Sequence, residues 1–189
     1  MLRKAQVFRK KYKLLGKTKK PSNLQTPLRS FAGGKQTQFF QRKIKLFGKK
    51  YMSPRLEAFF AKEKQHYSYS GNELESNSFT PRIQKICMDI EKFTDNKFNS
   101  VLINVYRNES DSNGWHADDE ALFGPMWQPK SIISLSLGAS RDFQLKRKDG
   151  KPDVTSIKLK HGDVCSMEGL CQDLYVHRVP ATRYGSGSR

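Results

Sequence analysis

The hydrophobic pattern predicts one helix followed by a strand-rich region. Pro81 opens the segment PRIQKICMDIEKF, in which Ile83, Ile86, Ile90 and Phe93 recur at helical spacing, so we expect a helix to begin at Pro81. Downstream of it the apolar positions alternate with polar ones or form short runs, which is typical of strands. These segments are SVLINVYR, SIISLSLG, RDFQLKRK, VTSIKLK, DVCSMEG and LYVHRVP.

The spacing of the strand segments indicates how they are connected. Asp149-Gly150 separates two of them and is a strong signal for a β-hairpin. Several short strands without intervening helices imply an antiparallel barrel or jelly roll. We therefore predict a mainly β (α+β) fold with one flanking helix.

The front of the chain has a different pattern. Residues 42–56, RKIKLFGKKYMSPRL, alternate basic and apolar residues around a glycine and predict a hairpin with one charged face. Residues 66–71, HYSYSG, form an extended aromatic stretch. Residues 1–41 show no sustained apolar period and are broken by proline and glycine, so a mostly disordered tail is expected. The first segment, MLRKAQVFRKKYKLL, is also compatible with a short basic helix.

The charge of the chain is concentrated in this front region. Residues 1–50 contain 16 Lys+Arg and no Asp or Glu, so the remaining residues, with 19 basic and 18 acidic side chains, carry only +1 of the total of +17. A nucleic-acid-binding arm, a nuclear-localisation run and an organelle-targeting peptide all remain open for the tail.

Several classes of protein are excluded by composition. No run approaches the roughly 20 apolar residues of a membrane-spanning helix, and no apolar core follows Met1 as in a secretory signal. The three cysteines are odd in number and form no CxxC pair, which argues against a disulfide framework or a structural zinc site. We therefore expect an intracellular protein without a membrane partner, with the nucleus favoured and an organelle left open.

Three residues have the chemistry of a metal site. His116 and Asp118 are two positions apart, so on an extended segment they project from the same face. His177 lies on the last predicted strand. Two neutral imidazoles and one carboxylate form the facial triad that holds non-haem Fe(II) with open positions. The pair at 116 and 118 also arises by chance, and a strand histidine bonded to backbone is the alternative for His177.

The segments LINVYRNESDSNGWHADDE, SIISLSLGASRDFQLKRK, HGDVCSMEG and HRVPATRYGSGSR resemble the AlkB family of iron- and 2-oxoglutarate-dependent dioxygenases. The resemblance runs from about Lys45 to Arg189, with the motifs in the family's order. It implies a double-stranded β-helix in which His116, Asp118 and His177 hold Fe(II), with 2-oxoglutarate and O2 as cosubstrates.

The resemblance also assigns a cosubstrate site. Asn104 and Tyr106 match family residues that bind 2-oxoglutarate, and Arg189 matches the first of two arginines that grip its distal carboxylate. The family continues with a last strand, whereas this chain stops at Arg189. We therefore expect a dioxygenase domain over 42–189, with a substrate-recognition part at 42–80 and a β-helix core at 99–189 that lacks its closing strand.

On the substrate side, HYSYSG resembles the family's aromatic pocket segment. This implies that Tyr67 and Tyr69 stack on a flipped base beside Ser70, although plain core is the alternative for such an alternation. Asp119 and Glu120 match acidic residues at the pocket rim, which accept hydrogen bonds from an exocyclic amine and attract a cationic methylated base.

The hairpin KLFGKK is similar to the loop of the family's duplex-acting branch, which implies that Phe47 is a wedge in the base stack. The alternative is a solvated hairpin with Phe47 folded beneath it. Basic residues around it are expected to contact phosphates. They are Arg42, Lys43, Lys45, Lys49, Lys50 and Arg55.

The resemblance implies oxidative demethylation of N-alkylated bases of the 1-methyladenine and 3-methylcytosine type, as in repair of alkylation damage. DNA is the expected partner, with RNA left open, as is the oligomeric state. Two alternatives remain. One is a related oxygenase acting on a protein or a small molecule. The other is an incomplete relative that acts as a nucleic-acid-binding module.

Overall fold

The computed structural model describes residues 6–8, 39–46, 48–69, 72–94, 96–120, 130–150 and 152–182. These residues form two compact units, one within Met1–Lys17 and Glu109–Arg189 and one within Thr18–Asn108. We call them the C-terminal unit and the N-terminal unit. In the part of the chain that is described, no helix is long and apolar enough to cross a membrane.

The C-terminal unit consists of two antiparallel sheets. Its strands are β1 (Gln6–Phe8), β9 (Asn113–His116), β10 (Lys130–Leu135), β11 (Arg141–Arg147), β12 (Val154–Leu159), β13 (Val164–Gly169) and β14 (Tyr175–Val179), with a short helix α2 (Cys171–Leu174). One sheet has the order β1-β13-β10 and the other β12-β11-β14-β9. The predicted strand segments after residue 130 all form strands.

Both sheets contribute to one hydrophobic core, so they pack face to face. Buried side chains from β11 and β12 lie against others from β13 and α2. They are Phe143, Leu145, Leu159, Cys165, Met167 and Cys171. Because alternate residues of each strand point inward, this core fixes which face of every strand is turned toward the interior.

The predicted hairpin at Asp149-Gly150 is present. Strands β11 and β12 pair antiparallel from Arg141↔Leu159 to Lys146↔Val154. Gly150 has a φ of 81°, a conformation that glycine adopts without steric cost. The turn therefore sets the register of the two strands.

Part of the predicted tail is a strand. Gln6–Phe8 pairs antiparallel with β13, so these three residues are not in the short helix considered for the first segment. Residues 1–5 and 9–38 lie outside the described part of the chain, and the boundaries of the tail and of the domain stay predictions.

The N-terminal unit contains a three-stranded sheet, two hairpins and one long helix. Its strands are β2 (Lys43–Leu46), β3 (Lys49–Met52), β4 (Leu56–Ala61), β5 (His66–Tyr69), β6 (Asn72–Glu75), β7 (Asn77–Ser78) and β8 (Ser100–Val105). The sheet has the order β7-β4-β8, and the hairpins are β2–β3 and β5–β6. Strand β4 was not predicted, because Leu56–Ala61 is buried along nearly its whole length and has no alternation.

The predicted helix is confirmed as α1 (Pro81–Thr94). The Ile83 N–H donates to Thr80 Oγ1 at 3.2 Å, which caps the first turn. The buried face of the helix presents Ile83 and Cys87 to Ala58 and Phe60 of the sheet. The helix therefore covers the face of β4 that carries Ala58 and Phe60.

The predicted basic hairpin is also confirmed. Strands β2 and β3 pair from Lys43↔Met52 to Leu46↔Lys49 around Gly48, whose φ is 80°. Lys49, Lys50, Tyr51 and Met52 are exposed. Phe47, the predicted wedge, lies outside the described residues.

Candidate metal centre and cosubstrate face

The C-terminal unit brings the three predicted metal ligands together. Their ligand atoms lie within 4.8 Å of one another. His116 Nε2 is 3.6 Å from Asp118 Oδ1, and His177 Nε2 is 3.5 Å from Asp118 Oδ2. The two ring centroids are 4.2 Å apart. One ion can therefore be reached by all three side chains with only small movements.

Strand register explains this convergence. His116 is the last residue of β9 and lies directly opposite His177 on β14. The register shifts between His177 and Val179, which is a bulge or irregularity of the kind common beside active sites. Phe143 on β11 stacks on the His177 ring, with centroids 5.3 Å apart. The sheet thus fixes both imidazoles, and the loop after β9 supplies Asp118.

The opposite face of the same strands is fixed by an aromatic contact. Trp115 precedes His116 and points to the other side of the sheet. Lys146 Nζ lies 4.7 Å and Arg178 Cζ 4.4 Å from the Trp115 ring centroid, within the range of cation–π interactions. We call this group the outer clamp; it joins β9, β11 and β14 behind the metal centre.

Burial keeps His177 neutral. The side chain is only 6 % exposed, and burial together with the smaller effect of the nearby His116 lowers the pKa of His177 to about 3. An imidazole binds a metal through the lone pair of its neutral form. His177 is therefore in the ligating state throughout the physiological pH range.

The hydrogen bonds of His116 indicate its tautomer. Nδ1 lies 2.8 Å from the Gly114 carbonyl oxygen, which can only accept, so Nδ1 carries the proton. Nε2 lies 3.2 Å from Asn113 Nδ2, which can donate to its lone pair. The nitrogen that faces Asp118 is therefore the basic one, and a metal ion binding there would replace the Asn113 donor.

The backbone of Asp118 is held by a buried side chain. The Asp118 N–H donates to Gln172 Oε1 at 2.9 Å, and Gln172 Nε2 donates to Met167 Sδ at 3.4 Å. Gln172 is 1 % exposed and lies in α2. It links the loop that carries one ligand to the short helix just before the strand that carries another.

The donor set fits Fe(II). Two neutral imidazole nitrogens and one carboxylate, with no thiolate among the three, are the ligands of the non-haem iron facial triad. The outer partners Gly114 and Gln172 orient a ring and a backbone segment, as is usual around ligating groups.

The N-terminal unit places the predicted cosubstrate residue Asn104 on a polar sheet face. Asn104 on β8 lies opposite Glu57 on β4. Arg55 Nε donates to Asn104 Oδ1 at 3.0 Å, and its Nη2 forms an ion pair with Glu57. Tyr106, two positions beyond Asn104, is partly buried.

Two predicted substrate residues are placed differently from expectation. Arg55 is 8 % exposed and is engaged by Glu57 and Asn104, whereas a phosphate contact calls for an exposed guanidinium; its phosphate role stays a prediction. Tyr67 is 4 % exposed and packs on Phe59 with ring centroids 5.4 Å apart. Its position agrees with the alternative of plain core.

The acidic residues after Asp118 differ in exposure. Asp119 is exposed and its Oδ2 lies 3.2 Å from Lys148 Nζ, so a salt bridge already engages this carboxylate. Glu120 is partly buried. Ser70, Arg189 and the side chain of Tyr69 lie outside the described residues, and their roles stay predictions.

Few features of the sequence indicate the residues that hold the ligands. Gln172 is polar and lies in a short segment between two strands, which usually indicates an exposed turn. Glu57 had a usable signal, because a carboxylate inside the apolar run LEAFFA must find a cation if it is buried. Arg55, two residues earlier, is that cation.

Comparison with known proteins agrees with this site. Residues 13–188 match the model of the 2OG-Fe(II) oxygenase superfamily. The chain is 39 % identical over 139 residues to the alpha-ketoglutarate-dependent dioxygenase alkB homolog 3 of Homo sapiens, covering 69 % of this chain and 47 % of that protein. It is 32 % identical over 172 residues to the DNA oxidative demethylase ALKBH2 of Arabidopsis thaliana, covering 77 % and 54 %. The chain thus spans about half the length of these curated relatives.

A solved structure shows the fold. The structure of OsALKBH1 superposes with a TM-score of 0.57 at 15 % sequence identity, over 86 % of this chain and 80 % of that one. The predicted mainly β jelly roll is confirmed, as is the predicted set of Fe(II), 2-oxoglutarate and O2, which this superfamily uses. The chain belongs to the AlkB family within the 2OG-Fe(II) oxygenase superfamily.

Proposed function

We propose that this protein removes alkyl groups from nucleobases by oxidation, using Fe(II), 2-oxoglutarate and O2. The substrates are N-alkylated bases of the 1-methyladenine and 3-methylcytosine type in DNA, and the process served is repair of alkylation damage. The observation that supports the proposal most is the convergence of His116, Asp118 and His177 in a chain of this family.

In this proposal the C-terminal unit holds the metal. His116 and His177 would each offer an imidazole nitrogen and Asp118 one carboxylate oxygen. Fe(II) with bound 2-oxoglutarate supplies the oxidation of the N-alkyl carbon by O2, which converts the cosubstrate to succinate and CO2 and releases a methyl group as formaldehyde. Gln172 and the Gly114 carbonyl would keep these ligands aligned around the bound metal.

The N-terminal unit supplies cosubstrate and nucleic-acid contacts. Asn104 donates a hydrogen bond from its amide to 2-oxoglutarate. The exposed lysines of the β2–β3 hairpin, Lys43, Lys49 and Lys50, contact phosphates, and the exposed Tyr51 and Met52 give the hairpin an apolar surface beside them. The name of the plant relative, DNA oxidative demethylase, supports a nucleic-acid substrate.

The first experiment tests the metal and cosubstrate site. Protein loaded with Fe(II) is titrated anaerobically with 2-oxoglutarate while the visible charge-transfer band of a keto acid chelated to iron is followed. A saturable band that is absent in His116→Ala is expected. Iron binding without any band would exclude the proposed reaction and favour a nucleic-acid-binding module.

The second experiment tests the substrate. Oligonucleotides containing 1-methyladenine or 3-methylcytosine are incubated with the holoprotein, and loss of the methyl group is measured by mass spectrometry. Demethylation that falls in Lys49→Glu/Lys50→Glu, but not in the surface control Lys85→Glu, is expected. Cosubstrate turnover that is insensitive to the hairpin charge would favour an oxygenase acting on a protein or a small molecule.

A further inference from the structure

A buried charged group lies beside the predicted cosubstrate residue. Glu57 is 0 % exposed, and the Arg55 side chain that pairs with it is also buried. Arg55 lies two positions before Glu57, just ahead of β4, and the cross-strand partner of Glu57 is Asn104. The three side chains therefore form a continuous chain of contacts, from the Glu57 carboxylate through the guanidinium to the Asn104 amide.

The chemistry of arginine determines which way this amide faces. A guanidinium only donates hydrogen bonds, so the atom of Asn104 that meets Arg55 Nε at 3.0 Å must be the oxygen. The Nδ2 group then points away from Arg55 with its donors available to another partner. An amide in the opposite orientation would set N–H against N–H and is excluded.

The orientation suits an anionic ligand. The carboxylates and the keto oxygen of 2-oxoglutarate accept hydrogen bonds and donate none, so Asn104 can bind them only through Nδ2. Burying a salt bridge of this kind seldom adds stability over an apolar pair of similar size. The Arg55–Glu57 pair is therefore better explained by orientation of Asn104 than by stability.

We propose that Arg55 and Glu57 are positioning residues for the cosubstrate. Glu57 fixes the guanidinium, and Arg55 fixes the Asn104 amide with Nδ2 directed to 2-oxoglutarate. This inference rests on the proposed function, because it takes 2-oxoglutarate as the ligand of Asn104. It replaces the phosphate contact expected for Arg55.

The test measures binding, without turnover. Protein loaded with Mn(II) is titrated with 2-oxoglutarate by calorimetry, for wild type and for Arg55→Lys. Lysine retains the charge that Glu57 needs but has no second donor in a fixed fork to reach Asn104. We expect a dissociation constant for 2-oxoglutarate raised about 10- to 100-fold, the usual loss when a partner that orients a ligating group is changed, with Mn(II) affinity and the unfolding midpoint near wild type.

A second variant removes the charges altogether. Arg55→Met/Glu57→Met replaces the buried pair by apolar side chains of similar length, a change that folded proteins generally tolerate. It should weaken 2-oxoglutarate binding as Arg55→Lys does. Lys62→Met is the matched control, since it breaks another ion pair of the same unit, Lys62–Glu91, away from Asn104.

The outcomes separate this inference from the proposed function. Wild-type protein that binds 2-oxoglutarate, together with either variant binding it equally well, overturns the positioning role alone. Wild-type protein that binds Mn(II) but no 2-oxoglutarate overturns both. If the double variant instead weakens oligonucleotide binding and reduces its salt dependence by about one phosphate contact, the original phosphate role of Arg55 is restored.

Discussion

The two units hold their functional side chains by different means. In the C-terminal unit the metal ligands are contacted by uncharged groups, which are the Gly114 carbonyl, the Asn113 amide and the Gln172 amide. In the N-terminal unit Asn104 is held by a buried ion pair. Uncharged partners orient the metal ligands without adding charge to a site that must accept a cation. A cation fixed beside an amide, in contrast, determines which of its ends is the donor.

The largest effect is expected from removing a metal ligand. Asp118→Ala removes the only carboxylate of the described cluster. Metal affinity should therefore fall further than the loss of about 10- to 100-fold that is typical when a residue outside the ligand set is changed. Co(II) titration followed by visible absorbance measures it. Asp142→Ala, which breaks the exposed contact with Lys158, is the control. Co(II) affinity within about tenfold of wild type in Asp118→Ala would contradict the assignment of this centre.

Gln172→Met tests the uncharged support of the same centre. Methionine keeps the length of the side chain but removes the Gln172 Oε1 acceptor of the Asp118 N–H, so the free energy of unfolding should fall by about 1–3 kcal/mol. Metal affinity should fall about 10- to 100-fold. Urea denaturation and Co(II) titration measure the two effects, with the exposed helix variant Gln84→Met as the reference. A lower free energy of unfolding with unchanged Co(II) affinity would show that Gln172 contributes to stability and not to metal binding.

The cysteines report on the two units separately. All three are buried, and burial raises the pKa of Cys165 to about 11 and raises those of Cys87 and Cys171 as well, so labelling requires local opening. Metal at ten times its dissociation constant should slow labelling of Cys165 and Cys171 about tenfold and leave Cys87 unchanged. Mass spectrometry of peptides after pulse alkylation reads each site. Equal protection of Cys87 would show that the units open together.

Thr80→Ala should give the smallest effect and leave the metal centre unchanged. It removes the cap of α1, which should lower the stability of the N-terminal unit by about 1 kcal/mol. Faster labelling of Cys87 with an unchanged Co(II) dissociation constant is the expected result. A weaker metal affinity in this variant would show that the metal centre depends on the stability of the N-terminal unit.

The sequence predicted most of the secondary structure. Ile83, Ile90 and the proline at the start identified α1, and alternation or short apolar runs identified the strands of the C-terminal unit after residue 130. Strand β4 was missed because burial on both faces removes the alternation on which such predictions depend. The spacing of His116 and Asp118, with His177 on the last strand, predicted the side chains that the fold brings together.

The residues that hold the site side chains in place could not be predicted in the same way. Gln172 is 54 residues from Asp118, and Arg55 is 49 residues from Asn104. Such contacts depend on strand pairing and on the exact packing between distant segments, and no local pattern records them. Arg55 was assigned to phosphate because its neighbours in sequence are basic, whereas its neighbours in space are a carboxylate and an amide.

The outer clamp has a consequence for how the protein acquires iron. Trp115, Lys146 and Arg178 tie β9, β11 and β14 together on the face opposite the ligands, and the His116↔His177 register follows from that pairing. Because Trp115, Lys146 and Arg178 are not metal ligands, we expect this register to form during folding and before iron binds, unlike metal sites whose domains are unfolded without the ion. We therefore expect iron to load into the folded protein, and its removal by a chelator should return a folded protein that can be reloaded.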